Sequence, residues 1–90
     1  MEIKIDSVIS CEFVEENKSI IFNLKDNFFS SYGLIKVITD FFQIENENIF
    51  NIREQINKEF ELLKNKIKKE DYPLTIVVSI QNSKVLVERK

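Results

Sequence analysis

The chain has 90 residues, of which 43% are apolar and 31% charged, with one Gly, one Pro, one Cys and no His. That length fits one domain around a single hydrophobic core, and the apolar share is too high for a disordered chain. A lone cysteine closes no internal disulfide, and the lack of His removes the commonest general base and the commonest metal ligand. The formal net charge of −2 is unevenly spread, with nine acids against four bases in residues 1–50 and nine bases against six acids in residues 51–90. The first half should therefore repel nucleic acid, and only the second half could attract it.

The opening segment "MEIKIDSVIS" carries a charge at nearly every second position at its start and lacks the apolar run of a signal peptide. No apolar run is long enough to span a bilayer. The expected compartment is the cytoplasm.

Ile3, Ile5, Ile9, Cys11 and Phe13 occupy alternate positions, which predicts a strand with one buried face. Glu15 to Lys18 form the following turn. With Glu16-Asn17 at its tip, the hairpin pairs Phe13 with Ile20, Cys11 with Phe22 and Ile9 with Leu24, all on one face.

The next segment, "DNFFSSYGLIKVITDFFQ", is ambiguous. Phe28, Tyr32, Ile35 and Phe42 fit one helical face, and Leu34, Val37, Ile38 and Phe41 fit an adjoining one, with Asp26 or Asn27 as the cap. The β-branched run "LIKVIT" after Gly33 fits a third strand instead. The second helix is plainer. Ile49, Ile52, Ile56, Phe60, Leu63 and Ile67 recur at steps of three and four, with Glu45 and Glu47 before them and four lysines at the end.

In "YPLTIVVSI", Leu74, Ile76, Val78 and Ile80 share a face, and Asn82-Ser83 makes a two-residue turn. This sets Ile80 against Val85 and Val78 against Val87.

These elements predict a single α+β domain over residues 1–90, in the order ββ-αα-ββ. Its four-stranded sheet comes from two hairpins, with two helices packed on one face; the alternative is five strands and one long helix. The long helical connection allows strands one and four to lie adjacent and parallel. That hairpin–helix–hairpin order is similar, in topology alone, to the ubiquitin-like β-grasp. The residues Glu88-Arg89-Lys90 stand where a transferable ubiquitin-like modifier carries Gly-Gly, so the likeness implies no function.

Little catalytic chemistry is on offer. Cys11 falls on the buried face of a strand with no His to activate it, which suits a small core residue better than a nucleophile. One Gly, Gly33, builds no phosphate loop. The pairs Glu15/Glu16 and Glu45/Glu47 supply too few oxygens for a calcium or magnesium site. No enzyme activity, metal or cofactor is expected.

Two surfaces remain. If the odd residues of strand one face the helices, Val8 and Val14 face outward. Ile21 joins them from strand two, and Val77 and Leu86 from the last hairpin. Rimmed by polar groups including Glu12, this set resembles a contact surface. The leading reading is a non-catalytic protein-interaction module, homodimeric and of the small acidic inhibitor, antitoxin, immunity or adaptor type. It would bind a partly basic partner through the outer sheet face and the acidic first hairpin. The rival reading is a nucleic-acid-binding module that uses Arg53, Lys58, Lys64, Lys66, Lys68 and Lys69.

Overall fold

A computed structural model describes residues 6–44 and 49–90. The elements run β1 (Val8–Val14), β2 (Ser19–Leu24), α1 (Ser31–Phe42), α2 (Ile49–Lys66), a short 3₁₀ turn (Lys69–Asp71), β3 (Leu74–Gln81) and β4 (Lys84–Arg89). The sheet order is β1-β2-β3-β4, and each neighbouring pair is antiparallel. This is an α+β fold in the order ββ-αα-ββ. Residues 31–42 form a helix rather than a third strand. The expectations for Ile3, Ile5, Glu45 and Glu47 fall outside the described residues.

The first hairpin pairs Phe13 with Ile20 and Cys11 with Phe22, as alternation requires. Nearer its base the register slips. Val8 lies opposite Leu24 and Ser10 opposite Asn23, which leaves Ile9 as the extra residue of a β-bulge. The bulge reverses strand parity. Val8 is half-buried and packs against the core, while Ile9 is 61% exposed. The expected pairing of Ile9 with Leu24 is thus corrected, and Val8 leaves the outer face.

The second hairpin closes as the sequence predicts, with Ile80 opposite Val85 and Val78 opposite Val87. Asn82 and Ser83 both take positive φ, 51° and 62°, the geometry of a type I′ turn.

The strand order differs from the expected one. A parallel neighbour needs one crossover that carries the chain to the opposite end of the sheet. Here two helices form the connection and run antiparallel to each other. Lys64, late in α2, donates to the Phe29 carbonyl just before α1 at 3.0 Å. The chain therefore re-enters at the end it left, and β3 lies antiparallel beside β2, with Ile20 opposite Val78 and Phe22 opposite Ile76. β1 and β4 become the two edges, and the likeness to the β-grasp ends there.

α1 begins later than Asp26 or Asn27. Its cap is Ser30, whose hydroxyl accepts from Gly33 N–H at 3.2 Å. Asp26 instead accepts from Phe28 N–H at 2.9 Å within the preceding turn. The late start rephases the aromatic residues. Phe29 is buried, whereas Phe28 and Tyr32, expected on the core face, are 72% and 79% exposed. Leu34, Ile35 and Ile38 face the core.

In α2, Ile52, Ile56 and Phe60 are buried at the predicted spacing. Phe29 and Phe60 meet edge to face at 5.8 Å, and the Lys64 ammonium stands 4.6 Å from the Phe29 ring centre. Phe41 of α1 stacks on Phe13 of β1 at 4.8 Å. Both helices thus lie on one face, with Ile20, Phe22, Ile76 and Val78 fully buried beneath them.

Candidate protein-binding face

With the helices on one side, the opposite face of the sheet consists of three rows set by the register. The lowest row is polar and internally satisfied. The Asn23 side chain donates to the Ser10 hydroxyl and accepts from the Thr75 hydroxyl, each at 2.5 Å. The middle row runs Glu12, Ile21, Val77, Glu88, and the upper row Val14, Ser19, Ser79, Leu86.

Ile21 and Val77 lie directly opposite each other at the centre. Val14 and Leu86 sit on the diagonals, about 7–8 Å away, still within side-chain reach. Val14, Ile21 and Val77 are half-buried and Leu86 is 42% exposed. These four form a zigzag aliphatic strip that crosses all four strands. Glu12 and Glu88 flank it at the two edges, and Glu15 and Glu16 stand exposed in the β1–β2 turn. Of the residues expected here, Glu12, Val14, Ile21, Val77 and Leu86 are brought together. Val8 is excluded by the bulge.

The six basic residues of the rival surface diverge. At about 100° per residue around α2, Arg53 and Lys64 lie on one flank, Lys58 roughly 140° from Arg53, and Lys66 roughly 220° from it. Lys64 is half-buried and bonded to the Phe29 carbonyl. Arg53 lines a separate cleft of about 320 Å³ between the helices, with Tyr32, Lys36 and Asp40. Lys68 and Lys69 fall past the end of α2 at the 3₁₀ turn.

Sequence reasoning missed the exposed aromatic residues of the helical layer, Phe28, Tyr32 and Phe50, the last 76% exposed. For Tyr32 the available signal was Ser30, a cap type equal in rank to Asp26 and Asn27, since capping there starts α1 at Ser31.

Cys11 is half-buried on the core side of β1, and burial pushes its thiol up to about 11. A thiol that holds its proton is a poor nucleophile. Alkylation at pH 8 should therefore be much slower in the folded protein than in the urea-unfolded chain, measured by thiol titration. The folded state also keeps this proton when the unfolded state has lost it. Stability should accordingly fall as pH rises from about 9 toward 11 in urea melts. A Cys11→Ala variant should show a shallower fall, the remainder coming from groups such as Tyr72, whose hydroxyl is also pushed up by burial. Equal alkylation rates in the two states would contradict the burial.

Among the described residues, no group of three or more His, Cys, Asp or Glu side chains is placed to hold a metal ion. No helix among them is long and apolar enough to cross a membrane. No family model, curated protein or solved structure matches this chain.

Proposed function

We propose that the chain is a non-catalytic protein-interaction module that binds another protein through the outer face of its sheet. The strip Val14–Ile21–Val77–Leu86, half-buried to exposed on the sheet face opposite the two helices, is the observation that carries this reading. An antiparallel sheet can leave one face in water, but such faces are usually polar at alternate positions. Aliphatic side chains that meet across four strands are better suited to burial against a partner. Glu12, Glu15 and Glu16 border the strip on the β1 side, which favours a partner with basic groups around an apolar patch. A role as inhibitor, immunity protein or adaptor fits this chemistry, since none of these needs an active site.

The test pairs wild type with a Val14→Lys/Ile21→Lys variant in capture from the native cell, read by quantitative mass spectrometry. Both residues face away from the core, so the variant should keep the wild-type circular dichroism spectrum and melt cooperatively. At least one protein captured by the wild type should fall about tenfold or more with the variant, as for loss of a central interface contact. Identical capture profiles from the two proteins would count against the reading.

A further inference from the structure

The two edges of the sheet are not equivalent. β1 is interrupted by the bulge at Ile9 and preceded by Ser7 at positive φ, features that blunt an edge against further pairing. β4 is regular over Lys84–Arg89. Its first outward-pointing amide is already bonded as if to a neighbouring strand. Val85 N–H donates to the Gln55 side-chain carbonyl at 3.0 Å, and the Gln55 amide donates to the Ser83 carbonyl at 2.8 Å. Gln55 thus takes the place that a peptide group of an added strand would occupy.

Because Val85 N–H points away from β3, alternation directs the backbone groups of Val87 and Arg89 the same way. α2 meets this edge at its start, through Gln55. Farther along, an open groove of about 680 Å³ lies between the late part of α2 and the end of β4, lined in part by Leu62, Leu63, Ile67 and Val87.

We propose that β4 pairs antiparallel with β4 of a second copy of this chain, about a two-fold axis through Leu86, to give a continuous eight-stranded sheet. The side chains select both the occupant and the register. With Leu86 opposite Leu86 of the partner subunit, Val85 faces the partner's Val87 on the core side. Lys84 then faces the partner's Glu88 on the outer side, and the two-fold repeats each pair. Shifting the axis to Val87 would set Leu86 against a glutamate and Lys84 against the partner's Lys90. Lys84 and Glu88 are exposed and have no ion-pair partner among the described residues of their own chain, so both are free for this contact. Gln55 yields Val85 N–H to the partner's Val87 carbonyl. The two aliphatic strips join end to end through Leu86, which doubles the length of the outer surface. The pairing does not depend on what that surface binds.

The test is mass in solution against concentration for the full chain, by light scattering and sedimentation. Wild type should move from 10.7 kDa toward twice that mass as concentration rises. Lys84→Glu alone, or Glu88→Lys alone, sets like charges opposite each other twice and should weaken association about tenfold or more. The Lys84→Glu/Glu88→Lys double variant restores opposite charges and should recover the wild-type constant. Glu88 and Lys84 stand on the surface, so all three variants should keep the wild-type melting temperature within a few degrees. The proposal is overturned if wild type stays at 10.7 kDa throughout, or if single reversals leave the mass unchanged. A dimer abolished by Val14→Lys/Ile21→Lys but indifferent to the reversals would also overturn it.

Discussion

Phe60→Ala should lower the stability of this domain by about 3–5 kcal/mol, the usual range for an aromatic deleted from a full core. Phe60 is completely buried and packs edge to face on Phe29, which is itself buried beneath the Lys64 ammonium. Removing the ring empties the junction between α2 and the segment that leads into α1. The core around it is built from both helices and the sheet, which limits how far it can close the gap. A domain of this size holds on the order of 5–15 kcal/mol in total, so the loss takes at least about a fifth of it. The melting temperature should drop on the order of 20 °C. Leu62→Ala, two positions along the same helix and 52% exposed, should change stability by about 0.5 kcal/mol or less. Urea denaturation of both variants checks the pair. Equal destabilisation would mean that α2 is turned to a different face.

Much of this architecture was legible because the two periodicities are clean where the packing is simple. Ile52, Ile56 and Phe60 recur at helical spacing because α2 is amphipathic and has one buried stripe. Ile76 and Val78 alternate with polar or half-buried neighbours because β3 has one buried face. The β3–β4 turn was legible for a different reason: Asn tolerates the left-handed region at its first position.

The failures have physical causes too. In "SVIS" two adjacent aliphatic residues break the alternation, and that doublet was the available trace of a bulge. Strict alternation through Ile9 conceals it and places Val8 and Ile9 in each other's environments. Phe28 precedes α1 and Tyr32 lies in its first turn, so a helix begun at Asp26 or Asn27 turns both inward, whereas the start at Ser31 leaves both pointing to solvent. The strand order was missed because the path of the connection decides it. A helical hairpin returns the chain to its starting end and forces β3 antiparallel to β2. No side-chain pattern within the strands encodes that choice.

The candidate face was legible in outline. Val14, Ile21, Val77 and Leu86 share it because their alternation is uninterrupted from Ser10 onward. The β4 edge was harder to see, since its competence for pairing shows only in the hydrogen bonds of Gln55, a helical residue some thirty positions earlier in the chain.

Whether the functional reading stands turns on which sheet face is bare, and adjacent residues of a central strand report that with little perturbation. In a Cys11→Ala background, single Val77→Cys and Val78→Cys variants replace neighbours of similar volume that point to opposite sides of β3. Their alkylation rates can be compared with those of the same variants unfolded in urea. The thiol at position 77 should react within about tenfold of its unfolded rate. The thiol at position 78 should be slowed at least about a hundredfold, because its exposure waits on opening of the core. Comparable, strong protection at both positions would show a sheet covered on its two sides, leaving no open surface for a partner to occupy.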